Sequence, residues 1–234
     1  MKKLLLASTS TLFGQNYLEY LLDDLAFFFK DIKTITFIPY ARPSGLSHDA
    51  YTKIVSKAFS KINKEVIGLH TYTNPMEGIR KSEAIFTGGG NTFLLVQQLY
   101  THKIMGTLKE TIQNGTPYLG TSAGSNIAGI NMQTTNDMPI VYPPSFKTLE
   151  LVNFNINAHY LDPDTNSTHK GETRETRIKE FHCFNNTPVV GLREGNYILV
   201  NGEILKLKGQ GTARIFECKK EAYETSHLDI PAIL

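Results

Sequence analysis

The sequence predicts an α/β protein, a three-layer sandwich with helices on both faces of a central, mostly parallel β-sheet. Three observations carry this expectation. Short apolar runs alternate with segments of helical hydrophobic period through the first half of the chain, the pattern of right-handed βαβ units. Turn-forming residues such as Gly14, Pro43, Gly45, Gly88-Gly89-Gly90 and Asn114-Gly115 separate those runs. With 234 residues, 41% hydrophobic and 20% charged, the chain is long enough to close one large core, so residues 1–234 read as a single domain.

Residues 4–7 read as the first strand, and a turn follows at Phe13-Gly14. Leu18, Leu21, Leu22, Leu25, Phe28 and Phe29 then recur with a helical period, which turns one apolar face toward a sheet. Residues 34–40 form a second strand, closed by Pro43 and Gly45. Ser47 can N-cap the next helix, whose Tyr51, Ile54, Val55, Ala58 and Ile62 share a face. Residues 66–69 and 84–87 are the third and fourth strands. A long helical region opens at Asn91, breaks near Thr101 and ends at Asn114-Gly115, where either residue tolerates positive φ. Residues 118–121 make a short fifth strand, and Ser122 begins another helix. In the second half, 153–157, 189–191, 197–200, 204–207 and 213–216 read as short strands, 171–181 as a polar helix and 161–169 as a loop. Asn201-Gly202 is a hairpin signal.

Composition excludes several function classes. A formal net charge of +2, with Lys and Arg scattered, gives no nucleic-acid surface. Cys183 and Cys218 form no C-x-x-C pair, so neither a disulfide framework nor a thiolate zinc site has a basis, and both read as small core residues. The apolar run Leu4-Leu5-Leu6-Ala7 is too short for a signal-peptide core, which needs about 7 to 15 residues. No stretch approaches the ~20 apolar residues of a membrane span. The expectation is a cytoplasmic protein with no membrane partner.

Chemistry concentrates in Gly120-Thr121-Ser122-Ala123-Gly124. A backbone that turns sharply enough to expose a serine between strand and helix brings Cβ atoms two residues away into collision, and glycine removes them. The helix start offers free N–H groups to a developing oxyanion. Ser122 is therefore a candidate nucleophile, although a plain strand-turn-helix can carry the same five residues. Gly88-Gly89-Gly90-Asn91 follows the preceding strand and, in a parallel sheet, falls beside Ser122 as a second source of oxyanion donors. It lacks the spacing of a dinucleotide-binding loop and the Lys-Ser/Thr of a P-loop. Of the seven histidines, His159 is best placed as the base. It follows Phe154-Asn155-Ile156-Asn157 at the carboxyl end of a strand, where open α/β sheets gather reactive groups. His169, in a polar loop, is a secondary candidate for substrate contact.

Longer stretches add to this reading. They include Leu5-Leu6-Ala7-Ser8-Thr9-Ser10-Thr11-Leu12, Thr87-Gly88-Gly89-Gly90-Asn91-Thr92-Phe93 and Tyr118-Leu119-Gly120-Thr121-Ser122-Ala123-Gly124. Further along come Thr134-Thr135-Asn136-Asp137-Met138-Pro139, Asn155-Ile156-Asn157-Ala158-His159, His169-Lys170-Gly171-Glu172-Thr173-Arg174 and Val190-Gly191-Leu192-Arg193-Glu194-Gly195-Asn196. In these stretches the chain resembles the peptidase E family of aspartyl dipeptidases, whose flavodoxin-like fold is related to class I glutamine amidotransferases. The resemblance runs to about residue 200 and is loose beyond.

The resemblance implies a serine-type dipeptidase for Asp-Xaa peptides with a Ser-His-Glu triad, here Ser122, His159 and Glu194. It also implies an oxyanion hole from the backbone N–H groups of Gly90 and Ala123. Substrate contacts fall to Arg174, as the cation for the substrate β-carboxylate, and to Asn91. No metal or organic cofactor is implied, the partner is a small peptide, and the chain is a monomer or homodimer. Glu194 follows the strand near 189–191 and so reaches the same sheet edge; Asp137, which also precedes a strand, is the rival acid, with an Asx-type turn before Met138-Pro139 as its plain alternative. Arg174 and Arg177 share a helix face, and the plain alternative is pairing with Glu172, Glu175 or Glu180. The chain departs from the family pattern at Arg193, where proline is usual, at Ser125, where alanine is common, and in the loop 160–168. Two alternatives keep the fold: a cyanophycinase-like peptidase, and an amidotransferase-like binding domain without catalysis.

Overall fold

Leu4, Leu5, Leu6 and Ala7 are fully buried because they lie at the middle of a sheet covered on both faces. The computed structural model describes residues 1–164, 166, 168 and 171–226; His169 lies outside them. The strands are β1 (Lys3–Ala7), β2 (Thr34–Ile38), β3 (Glu65–Gly68), β4 (Ala84–Thr87), β5 (Tyr118–Thr121), β6 (Asn155–Ala158), β7 (Val189–Leu192), β8 (Tyr197–Asn201), β9 (Ile204–Lys208), β10 (Ala213–Phe216) and β11 (Tyr223–Thr225). The helices are α1 (Leu22–Phe28), α2 (His48–Ser60), α3 (Pro75–Arg80), α4 (Thr92–Thr101), α5 (Met105–Gln113), α6 (Ala123–Asn126) and α7 (Arg174–Phe181).

Seven strands form the main sheet in the order β3-β2-β4-β5-β1-β8-β9. The first five are parallel, and β8 and β9 continue antiparallel. The period of two along each strand sorts the core. Leu4 and Leu6 join Ile85, Tyr118 and Ile198 on one face, while Leu5 and Ala7 join Phe37, Phe86 and Leu119 on the other. Helices α1 and α2 cover the second face through Leu25, Tyr51, Val55 and Phe59. Ile79 of α3, Leu95 and Leu99 of α4, and Leu108 and Ile112 of α5 cover the first. Burial of one such Leu or Phe contributes roughly 1.5–3 kcal/mol.

The mostly parallel sheet between helical layers matches the sequence expectation, and the differences are local. Ile54 is 41% exposed, and Phe59, one turn after the buried Val55, joins the core face instead. The break expected near Thr101 in the helical region from Asn91 falls just past it, where Lys103 adopts φ 56 between α4 and α5. The helix after Ser122 is a single turn. Helix α3 was not anticipated, although Asn74 caps it by accepting from Met76 and Glu77 N–H and Pro75 occupies its first turn. Cys183 is exposed and Cys218 half-buried, against the core expectation, because both lie in turns beyond α7 and β10.

The other four strands form a separate sheet in the order β11-β10-β7-β6, with only β6 and β7 parallel. Ile156, Val190, Leu192, Ala213 and Ile215 of this sheet belong to the same core cluster as Leu4 and Leu6. The carboxyl ends of β6 and β7 thereby face the carboxyl ends of β1 and β5. Among the described residues no helix is long and apolar enough to cross a membrane.

Candidate active site

Strand β5 ends at Thr121, and the next residue, Ser122, has φ 52 and ψ −113. An L-residue holds such a conformation at a cost of about 1–3 kcal/mol, and only where its surroundings fix it. Here the Ser122 N–H donates to the Ala7 carbonyl at 3.0 Å, and the Ser122 carbonyl accepts from Ser125 and Asn126 at 2.9 Å each. The Ser125 hydroxyl, buried beneath the turn, reaches the Ala7 carbonyl at 2.6 Å. The flanking glycines meet backbone at close range. A Cβ on Gly120 would lie 2.5 Å from the Gly124 carbonyl oxygen, and one on Gly124 would lie 2.1 Å from that of Thr87. Gly120 is thus required by the tightness of the turn itself, and Gly124 by the contact of that turn with β4.

The glycine run after β4 closes the other side. A Cβ on Gly89 would stand 3.0 Å from the Ser122 Cβ, and one on Gly90, at φ 147, would be 2.2 Å from the Ala41 carbonyl oxygen. The N–H groups of Gly90 and Ala123 have no acceptor among the described residues. These two free donors belong to the residue after Gly89, which packs on Ser122, and to the residue after Ser122 itself.

His159 follows β6 with φ 55. Its Nε2 lies 2.9 Å from Ser122 Oγ, and its Nδ1 lies 2.6 Å from Glu194 Oε1. A carboxylate can only accept, so Nδ1 carries the hydrogen, which leaves the Nε2 lone pair to accept from the Ser122 hydroxyl. Glu194 sits in the turn between β7 and β8, where Asn196 N–H donates to the Arg193 carbonyl at 3.1 Å. The side chains of His159 and Glu194 are 38% and 50% exposed, so the hydrogen-bonded line opens to solvent. Nearby, burial first and the charge of Glu194 second push the Tyr20 phenol well up, and its hydroxyl donates to the Thr9 carbonyl at 2.7 Å.

Asp137 lies elsewhere. Its Oδ2 accepts from the Thr92 N–H at 2.7 Å and the Thr135 hydroxyl at 2.9 Å, at the start of α4, and it makes no hydrogen bond to His159. Asn91 uses both ends of its amide on the protein: Oδ1 caps α4 by accepting from Leu94 at 3.0 Å, and Nδ2 donates to the Met138 carbonyl at 2.9 Å. Its expected substrate contact is thereby reduced to the remaining Nδ2 hydrogen.

Arg174 opens α7, which Thr173 caps. Arg177 pairs with Glu172 at 3.8 Å, whereas Arg174 has neither an ion pair nor a hydrogen bond among the described residues. Burial chiefly, then the neighbouring Arg177, lowers the Arg174 guanidinium from its usual range, and the charge of Asp137 opposes that shift. A half-buried guanidinium without a carboxylate partner keeps its N–H donors open to an anionic ligand.

Ser8 joins the site without any motif of its own to announce it. It is fully buried; its hydroxyl accepts from the His159 N–H at 2.9 Å and donates to the Leu192 carbonyl at 2.7 Å. Its position just past the carboxyl end of β1 was the available signal, since that sheet edge gathers the other site residues.

A model of peptidase family S51 matches residues 4–208. The chain belongs to peptidase family S51. A Drosophila melanogaster protein named "Probable alpha-aspartyl dipeptidase" is 47% identical over 219 residues, covering 92% of this chain and 90% of that protein. Peptidase E of Streptomyces coelicolor is 46% identical over 213 residues, covering 91% and 86%. The S51 fold is also seen in the crystal structure of a peptidase from an acI-B1 actinobacterium. That structure has a TM-score of 0.73 at 15% identity and covers 98% of this chain and 96% of that one.

Proposed function

We propose that this S51 member is a serine-type dipeptidase that hydrolyses peptides beginning with aspartate. The observation that carries the reading is the hydrogen-bonded line from Ser122 Oγ to His159 Nε2 and from His159 Nδ1 to Glu194. As Ser122 Oγ attacks the scissile carbonyl carbon, its proton passes to His159 Nε2, and Glu194 stabilises the imidazolium so formed. The oxyanion accepts hydrogen bonds from the Gly90 and Ala123 N–H groups. The C–N bond then breaks as Nε2–H protonates the leaving amine. Water, deprotonated by Nε2, resolves the acyl-enzyme to the free acid.

Specificity for aspartate is supported by the unpaired Arg174 and by the name of the Drosophila relative. A guanidinium pairs with the β-carboxylate of the first residue through two parallel N–H bonds. The chain works as a single domain, monomeric or homodimeric, in the cytoplasm, and its partner is a small peptide. The test is hydrolysis of an Asp-Xaa series by wild type, Ser122→Ala and Arg174→Ala, with β-aspartyl peptides as the contrast. Preference for β-aspartyl bonds would replace this reading with a cyanophycinase-like one. Failure of a fluorophosphonate to label Ser122 would leave a binding domain.

A further inference from the structure

Arg193 stands next to Glu194, and its side chain is only 25% exposed. Its Nε and Nη2 lie 2.7 Å from the two oxygens of Asp162. Its Nη1 and Nη2 lie 2.9 Å from the two oxygens of Glu224, and Nη1 also reaches the Thr212 carbonyl at 3.0 Å. The guanidinium sits 5.5 Å from the centroid of the Tyr160 ring. That ring packs so tightly on β7 that a Cβ on Gly191 would meet it at 2.8 Å.

These partners come from three places. Asp162 is three residues past His159 in the same loop, Arg193 precedes Glu194, and Glu224 belongs to β11. The span matched by the family ends at residue 208, so β10 and β11 lie outside it. Glu224 is shared further. Its Oε1 meets Arg214 Nη1 at 3.4 Å, and Arg214 pairs with Glu175, beside Arg174, at 3.1 Å. The Thr212 hydroxyl also donates to Glu224.

We propose that Arg193 is a positioning residue that fixes the His159 loop through Asp162 and ties it, together with the Glu194 turn, to the C-terminal strand β11 through Glu224. His159 and Glu194 are solvent-facing side chains on two loops joined at their bases through Ser8 and through the Tyr160 N–H on the Leu192 carbonyl, and beyond those bases Arg193 links them. A single exposed ion pair fixes little. Two carboxylates gripped bidentately by one largely buried guanidinium fix three segments at once. Asp162, Glu224 and Glu175 balance the charges of Arg193, Arg214 and Lys179, so the cluster acts on Glu194 through geometry.

The proposal rests on the peptidase reading for its kinetic consequence, and a second readout is independent of substrate. In Arg193→Gln, kcat for an Asp-Xaa dipeptide is expected to fall about 10- to 100-fold, with KM changed less than about threefold. In the same variant the low-field proton resonance of His159 Nδ1–H, assigned by its loss in His159→Gln, should broaden by faster exchange with water. Asp162→Asn, which alters a half-exposed side chain outside the core, should show both changes at about 3- to 10-fold in kcat and decides the matter if Arg193→Gln does not fold. Lys220→Gln, which breaks an exposed pair with Glu217 just before β11, should change neither. Unchanged kcat and resonance in folded Arg193→Gln or in Asp162→Asn would overturn the proposal, as would a rise in KM alone. If the wild type cleaves no Asp-Xaa peptide, the peptidase reading fails and the resonance still tests the clamp.

Discussion

The backbone N–H of His159 lies 2.9 Å from the hydroxyl of Ser8, 151 residues earlier in the chain. Because that hydroxyl also donates to Leu192, two residues before Glu194, one buried serine joins the ends of β1, β6 and β7. Ser8→Ala leaves the His159 N–H unpaired and the Leu192 carbonyl with only the Tyr160 N–H at 3.2 Å, at about 1–3 kcal/mol for an unsatisfied group. We expect a loss of that size in urea unfolding and a fall in kcat of about tenfold. Wild-type stability in this variant would contradict the assignment.

Ser122 carries backbone strain that its chemistry needs and its stability does not. Glycine adopts φ 52 without a Cβ penalty, so Ser122→Gly should be more stable than Ser122→Ala by about 1–2 kcal/mol. Both variants should lose roughly 10³-fold or more in Asp-Xaa hydrolysis. Paired thermal melts and a sensitive peptide assay give the two numbers.

Glu194 holds the imidazole and Asp137 does not, which separates their variants. Glu194→Gln should lower kcat about 10²- to 10⁴-fold by disturbing the tautomer. Asp137→Asn, which weakens a carboxylate at the start of α4, should lower kcat less. Steady-state kinetics of the two side by side check this, and the reverse order would make Asp137 the acid.

Loss of the Arg174 guanidinium should act on substrate and spare the nucleophile. A charge-assisted hydrogen bond contributes about 1.5–3 kcal/mol, so Arg174→Ala should lose roughly 10- to 100-fold in kcat/KM for Asp-Xaa. Fluorophosphonate labelling of Ser122, which involves no β-carboxylate, should keep its rate.

The Arg193 cluster makes a specific acid-stability prediction. The Arg193 guanidinium, ahead of the Thr212 hydroxyl, holds the Glu224 carboxyl down to about 2 against an ordinary 4.5. Asp162 is lowered for the same first reason. Between those limits the unfolded chain binds the extra proton, so the stability these carboxylates add is complete above about pH 4.5 and is lost as pH falls toward 2. Unfolding free energies at pH 6, 4 and 3 should drop more steeply in wild type than in Glu224→Gln.

Sequence alone determined the parallel half of the fold and the place of the candidate nucleophile. Strand runs such as Leu4-Leu5-Leu6-Ala7 and the helical periods between them are local patterns, and local periodicity is what a sequence displays. The glycines at 120 and 124 were legible for the same reason, since a sharp turn leaves its mark within five residues. His159 and Glu194 were named from their places after strands and from resemblance. Their 2.6 Å contact, the removal of Asp137 from that contact and the donation of the Asn91 amide to the Met138 carbonyl were decided by the tertiary structure. So were Ser8, the second sheet and the grip of Arg193 on Asp162 and Glu224. Each of these joins residues tens to more than a hundred positions apart, and only the packing of one sheet end against another brings such groups within hydrogen-bond distance.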